Sequence, residues 1–147
     1  MDMSDRIEHA LRAAVAHAES GSAPQKLASA IRYAVFPGGA RVRPRLSLAV
    51  AAACGDDRPL VAEAAAASVE LLHCASLVHD DLPCFDDAAV RRGRPSLHAA
   101  FGEPLAVLTG DALIVLAFET LGRAAEGAPA RLAPLLGIMG RAAGAPA

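Results

Sequence analysis

The chain has 147 residues, a length that suits one domain with a hydrophobic core. Hydrophobic residues make up 54% of the chain and aromatic residues only 3%, so the core must consist mainly of alanine, leucine and valine, which favours closely packed helices. The formal net charge is -2 and no basic face carries aromatic residues, which argues against a nucleic-acid partner.

Cysteine spacing, the first residues and the apolar runs indicate the compartment of the protein. Its three cysteines show no Cys-x-x-Cys spacing, which favours a reducing compartment over a disulfide framework. The first residues are charged and lack the apolar segment of a secretory signal. The longest apolar runs, 46–54 and 105–118, are too short or are interrupted by Asp111. We therefore expect a cytoplasmic protein without a membrane span.

Hydrophobic periodicity predicts six helices and no internal repeat. Serine, glycine and proline clusters at 20–22 and 37–39 separate the first three helices, and Pro83 ends the fourth in a polar loop. The fold class that follows is all-α, an antiparallel helical bundle in a single domain. The predicted helices are Ser4–Glu19 with Ser4 as the cap, 24–35, a third that opens within 40–45 and ends near 54, 59–80, 105–125 and 130–143.

The most informative segment follows the fourth helix. Four aspartates lie within residues 80–87, and three arginines follow within residues 91–94. Crowded carboxylates repel one another unless a cation lies among them, and oxygen ligands favour Mg²⁺, which completes its shell with water and phosphate. Guanidinium groups bind phosphate oxygens bidentately. The alternative is a solvated acidic loop whose charges pair with the arginines behind it.

Two further groups could bind an anion. Arginines alternate after the glycine pair Gly38-Gly39, at the predicted start of the third helix, although arginines at such a position are about as often solvated helix ends. His73 and Asp80 are seven residues apart and share one helix face, about 10 Å from each other. A lone helical histidine is more often structural than a ligand.

The order Asp-Asp-x-x-x-x-Asp and then Arg-Arg-Gly-x-Pro, at 80–86 and 91–95, closely resembles the first aspartate-rich motif of the trans-isoprenyl diphosphate synthases, the polyprenyl synthetase family. It is most similar to the geranylgeranyl and farnesyl diphosphate synthases of bacteria. The stretch 109–113 also resembles the family, and we expect Asp111 there to be a helix or arginine partner rather than a metal ligand. The resemblance implies the N-terminal part of the isoprenoid synthase fold.

The resemblance also implies a reaction, the condensation of isopentenyl diphosphate with an allylic diphosphate to geranylgeranyl or farnesyl diphosphate. Catalysis would rest on Asp80, Asp81 and Asp86, which would bind Mg²⁺ and through it the allylic diphosphate. Arg91 would bind the same diphosphate. An apolar helical bundle suits this chemistry because water would trap the allylic cation.

The family binds isopentenyl diphosphate through a Gly-Gly-Lys-Arg-x-Arg-Pro segment, a histidine and an arginine. Ala40 stands where the family usually has the lysine, and Arg41 is a weaker candidate than Arg43. The residues implied for isopentenyl diphosphate are Arg43, His73 and Arg92.

Ala75 and Ser76 lie one turn before the aspartates, where residues in the family form the floor of the pocket for the growing chain. Their small size implies a deep pocket and favours a twenty-carbon product over a fifteen-carbon one. The alternative is that they are small only to allow close helix packing.

Members of the family are about twice as long and carry a second aspartate-rich motif, whereas no aspartate follows Asp111 here and Lys26 is the sole lysine. We therefore expect a single domain, 1–147, truncated before that motif, so activity of the short chain alone is an open question. Two other interpretations stay open. One is a non-catalytic subunit or binding module that associates with a full-length synthase, and the other is a helical interaction protein without a ligand. A homodimer or an association with a longer homologue is expected.

Overall fold

The computed structural model describes residues 2–20 and 22–145, and within them it is a bundle of helices with one short hairpin. The predicted all-α class is confirmed. The hairpin and the short fifth helix were not predicted. The elements are α1 (Met3–Ala18), α2 (Gln25–Val35), α3 (Val42–Ala53), α4 (Pro59–Asp80), β1 (Val90–Arg91), β2 (Arg94–Pro95), α5 (Leu97–Phe101), α6 (Glu103–Ala124), a 3-10 turn (Ala125–Gly127) and α7 (Pro129–Ala143).

Helix ends follow local chemistry, with one correction. The cap of α1 is Asp2 and not Ser4, because the side chain of Asp2 accepts from the Asp5 amide at 2.8 Å and the Asp5 side chain reaches back to the Asp2 amide. Pro59 and Pro104 lie in the first turns of α4 and α6, where no amide hydrogen bond is lost. This places the start of α6 two residues before the predicted one.

The core is centred on the antiparallel pair α4 and α6, which makes the most extensive contact in the fold. Small residues let the two helices approach closely, as shown by the buried Ser68 hydroxyl, which donates to the carbonyl of Ala117 at 2.8 Å. Helices α1 and α3 pack on α4 from other sides. Because one side of α4 carries buried residues from Val61 to Val78, its C-terminal end is a rigid support for the aspartates.

The C-terminal end of α4 contacts the Thr-Gly-Asp stretch of α6, residues 109–111. A Cβ atom on Gly110 would lie 2.0 Å from Nε2 of His79, so the histidine ring occupies the space that the glycine leaves. The same nitrogen lies 3.5 Å from an oxygen of Asp111. Asp111 is thus a helix partner, as predicted.

Helices α4 and α6 change one sequence expectation. By length and composition both could cross a membrane, and 56% and 44% of their most apolar windows are buried within the bundle. The apolar runs 46–54 and 105–118 are shorter than these whole helices, so length and apolar composition do not exclude a membrane span. Burial of this kind is typical of the core helices of a bundle, and the absence of a membrane span stays a prediction.

Arg41 corrects a second expectation, its weaker assignment as a substrate ligand. Its side chain is 7% exposed and donates to Glu8 at 2.8 Å, to Glu70 at 2.9 Å and to the Val35 carbonyl at 3.0 Å. The guanidinium fills the space above Gly38, which has no side chain to displace it. Arg41 therefore joins α1, α2 and α4 inside the bundle.

We predict that Arg41→Ala destabilises the fold by about 3–5 kcal/mol, because it leaves the buried Glu70 carboxylate without its partner. The free energy of unfolding in urea measures this. Arg45→Ala is the matched control: Arg45 lies one turn further along α3 and is exposed, so its removal should change stability by less than about 0.5 kcal/mol. Equal stabilities of the two variants would contradict the structural role of Arg41.

Candidate active site

The loop after α4 folds back on the helix end and brings two distant aspartates together. The Asp86 amide donates to the Asp80 carbonyl at 2.9 Å, and the Ala88 amide donates to the Asp81 carbonyl at 3.1 Å. Both Asp80 and Asp86 are exposed. The Asp-Asp-x-x-x-x-Asp spacing therefore produces one acidic corner with two carboxylates open to a ligand.

Asp81 has a different environment from these two residues. It is buried and accepts two parallel hydrogen bonds from Arg91, at 2.6 and 2.7 Å. These bonds raise the pKa of the Arg91 guanidinium, and the nearby Asp80 and Asp86 charges raise it further. Asp81 thus binds Arg91 beside the acidic corner, whereas the carboxylates of Asp80 and Asp86 are exposed.

The Arg-Arg-Gly stretch is the turn of the hairpin. Arg91 pairs with Arg94, so the two-residue loop is Arg92-Gly93, and both loop residues have positive φ, 52° and 78°. A loop of this length with two positive φ values is the hairpin turn that matches strand twist. The turn projects Arg92 away from the ladder that carries Arg91.

Arg92 reaches the glycine pair that precedes α3. A Cβ atom on Gly39 would lie 2.9 Å from Nη2 of Arg92, so the guanidinium rests directly against the glycine backbone. The sequence suggested that the glycines admit a ligand. In the structure the Arg41 guanidinium occupies the space beside Gly38, and the Arg92 guanidinium occupies the space beside Gly39.

Three predicted isopentenyl diphosphate residues share one region. His73 is half-buried on α4, and burial lowers its pKa, as do the positive charges of Arg43 and Arg92. Arg43 is exposed in the first turn of α3, where the helix end adds positive potential. The arrangement is a cationic patch formed by Arg43 of α3 and Arg92 of the hairpin, close to His73 of α4, which is mainly neutral near pH 7.

An apolar cavity of about 610 Å³ opens beside this patch. Its lining includes Arg43 and His73 at one side and the predicted chain-length residues Ala75 and Ser76. Volumes of this order accommodate ligands of small-molecule size. Further lining comes from α6 and α7, with Ile114, Phe118 and Met139.

Arg94 and Tyr33 are contributors that the sequence argument missed. Arg94 donates to the carbonyls of Tyr33 and Phe36, the latter at 2.8 Å, and its guanidinium lies 3.7 Å from the centre of the Tyr33 ring. The Tyr33 hydroxyl donates to the Pro95 carbonyl at 2.8 Å. These contacts fix the hairpin to α2. No local pattern signals a pair so far apart in the chain.

The acidic corner suits a hard divalent cation by the chemistry of its donors. All of them are carboxylate oxygens, and Mg²⁺ is typically held by one or two carboxylates with water and substrate phosphates. Among residues 2–20 and 22–145 no group of three or more His, Cys, Asp or Glu side chains forms a complete cage. Two open carboxylates fit a cation shared with a ligand.

Solved structures share this bundle. A geranyltransferase from Legionella pneumophila is 36% identical, with a TM-score of 0.88 over 97% of this chain and 49% of its own. An FPP/GFPP synthase from Zymomonas mobilis is also 36% identical, with a TM-score of 0.86 over 97% of this chain and 51% of its own. The fold is that of the all-α isoprenoid synthases.

Residues 24–141 match the family described as Polyprenyl synthetase, and the chain belongs to that family. Geranylgeranyl diphosphate synthases from Cereibacter sphaeroides and Rhodobacter capsulatus are 58% and 52% identical over 99% of this chain. The alignments cover 51% and 50% of those proteins. The chain therefore spans about half the length of the curated relatives it matches.

We predict that Gly39→Ala displaces the Arg92 guanidinium and weakens the binding of inorganic pyrophosphate by about tenfold, since one charge-assisted contact is lost. The fold should keep its stability because the overlapping atoms belong to the end of a flexible side chain. Gly127→Ala is the control, since a Cβ there meets nothing within 4 Å. Titration calorimetry measures both, and equal affinities would contradict the contact's role.

Proposed function

We propose that this chain forms the aspartate-rich half of a prenyltransferase that condenses isopentenyl diphosphate with an allylic diphosphate, yielding geranylgeranyl or farnesyl diphosphate. The observation that carries the proposal is that a cationic patch opens on an apolar cavity at the end of the helix that bears the acidic corner. A diphosphate with an isoprenoid tail has the matching chemistry. The family and the names of the relatives support the same class of reaction.

In this proposal Asp80 and Asp86 hold Mg²⁺. The ion, when bound, would neutralise the allylic diphosphate and make it a better leaving group. Asp81, predicted from the sequence as a third metal ligand, takes the positioning role instead, because its carboxylate is already engaged by Arg91. Arg91 then offers its remaining donors to the allylic diphosphate.

Isopentenyl diphosphate would be bound by Arg43, His73 and Arg92. Because His73 is neutral near pH 7 before binding, it can donate one hydrogen bond without adding a third like charge to Arg43 and Arg92. Ala40 supplies no cation where the family usually has lysine, so we expect weaker binding of this substrate than in lysine-containing relatives.

The cavity would receive the growing chain. The two predicted chain-length positions in its lining are the small residues Ala75 and Ser76, not aromatic residues. This supports a twenty-carbon product. Apolar walls exclude water from the allylic cation, which water would otherwise trap. The proton released after the new bond forms would pass to the departing diphosphate.

A second candidate is a non-catalytic subunit that associates with a full-length prenyl diphosphate synthase in the cytoplasm, or with a second copy of itself. The observation that favours it is the exposed apolar surface of α6, which includes Leu108 and Val115. Radiolabelled isopentenyl diphosphate discriminates the two. Product from this chain alone supports the enzyme, and no product alone together with a changed rate of the full-length homologue supports the subunit.

We predict that Asp86→Asn removes Mg²⁺-dependent binding of a farnesyl diphosphate analogue, because one of two open carboxylates is lost. Asp87→Asn is the matched control. It changes the neighbouring exposed aspartate, and asparagine tolerates the positive φ of 47° at that position. Calorimetry with and without Mg²⁺ measures the effect. Binding that is equally strong without the metal would contradict the proposed acidic corner.

We also predict that the affinity for pyrophosphate rises on lowering the pH from about 7.5 to about 6 more in the natural chain than in His73→Gln. The pKa of His73 lies below its usual value in the free protein, and a bound anion would raise it. Binding therefore takes up a proton between these two pKa values. The glutamine variant controls for titration of pyrophosphate itself, and parallel pH profiles would contradict a role for His73.

A further inference from the structure

The loop that carries Asp86 has no buried side chain to anchor it. Residues 83–87 are all exposed, and the largest apolar side chain among them, Phe85, is 68% exposed. A segment with so few buried apolar contacts is held mainly by its hydrogen bonds. The position of Asp86 therefore depends on the partners of the loop backbone.

One set of partners lies at the end of α4. The amides of Asp86, Asp87 and Ala88 donate to the carbonyls of residues 80–82 at 2.9, 3.1 and 3.1 Å. Asp87 has a positive φ of 47°, and a non-glycine residue keeps such a backbone only where its surroundings hold it. These bonds hold the loop from one side only.

His98 of α5 holds the loop from the other side. Its Nε2 lies 2.9 Å from the carbonyl oxygen of Ala88, and because a carbonyl only accepts, the ring nitrogen is the donor. Within the described ranges 2–20 and 22–145, this is the one side-chain hydrogen bond to the backbone of residues 82–89. The Ser96 amide adds a bond to the Ala89 carbonyl at 3.0 Å.

Helix α5 is itself fixed in the bundle. Leu97 is 4% exposed and belongs to the core. Phe101 meets the ring of Tyr33 edge-on, with the ring centres 5.2 Å apart. His98 lies between these two anchors in the sequence, so its hydrogen bond connects an exposed loop to a packed helix.

We propose that His98 is a positioning residue of the acidic corner. Its hydrogen bond to Ala88 keeps Asp86 beside Asp80, so that the two carboxylates share one divalent cation with a diphosphate. His98 acts through the loop backbone and is not a ligand of the ion. The inference rests on the proposed function, because it concerns the cation site of the same reaction.

Two substitutions separate the hydrogen bond from the bulk of the side chain. His98→Leu keeps a similar bulk without a donor, whereas His98→Gln keeps an N–H group at a similar reach. Hydrogen exchange of the Asp86 and Ala88 amides is measured by NMR without metal. We expect exchange about tenfold faster in His98→Leu and near the natural rate in His98→Gln, since one hydrogen bond is lost and then restored.

Calorimetry with inorganic pyrophosphate, with and without Mg²⁺, then tests the effect on the cation site. His98→Leu should weaken the Mg²⁺-dependent binding about tenfold and leave the metal-free binding by the arginines unchanged, and His98→Gln should restore it. A general loss of stability would lower both affinities. His9→Leu is the control, because His9 is exposed on α1 and its removal should change neither affinity.

Three outcomes would overturn the inference: unchanged exchange in His98→Leu, equal losses of the two affinities, or no rescue by His98→Gln. If His98→Leu does not fold, His98→Asn, whose amide is too short to reach Ala88, replaces it in both measurements. A natural chain that binds pyrophosphate equally with and without Mg²⁺ would contradict the proposed function. Faster exchange in His98→Leu would then still support the contact between His98 and the loop.

Discussion

The ion pair between the buried Asp81 and the half-buried Arg91 is the interaction on which the rest of the site depends. A carboxylate buried at the end of α4 is stable only with a partner, and the bidentate guanidinium satisfies both of its oxygens. The pair joins the hairpin to the helix end. It thereby fixes where the next residue, Arg92, can reach. One ion pair therefore connects the helix end that carries the acidic corner to the hairpin that carries Arg92.

Two backbone features determine where Asp86 of the acidic corner and Arg92 of the cationic patch lie. The loop returns Asp86 to Asp80 through one amide hydrogen bond, and the tight hairpin turn sends Arg92 towards Gly39. Asp86 thus lies beside Asp80, and Arg92 lies beside the glycine pair that precedes α3. Two diphosphates, one bound through a cation and one bound by arginines, require this kind of division.

The sequence was sufficient for much of the fold because its helices are long and periodic and their ends carry proline or glycine. The motifs also predicted candidate site residues, and four of them, Arg43, His73, Ala75 and Ser76, line one cavity. It could not distinguish Asp81 from Asp80, since burial of one aspartate depends on an arginine ten residues away. It likewise gave no sign that Arg41 turns into the bundle, because both partners, Glu8 and Glu70, are distant in the chain. Non-local ion pairs of this type are invisible to periodicity.

The surface that these helices leave open is as informative as the core. α4 is covered by α1, α3 and α6, but its remaining face lies between α3 and α7 with aliphatic side chains at the rim. The same cavity that suits an isoprenoid is open along this face. The proposed reaction requires a site that excludes water, which connects the packing around this cavity to the proposed function.

The most direct measurement is diffraction at the manganese edge from crystals grown with Mn²⁺ and inorganic pyrophosphate. The account predicts an anomalous peak between the carboxylates of Asp80 and Asp86, with a pyrophosphate oxygen on the ion and Arg91 on the same anion. A peak elsewhere, or pyrophosphate bound only at the cationic patch with no oxygen on the ion, would contradict it.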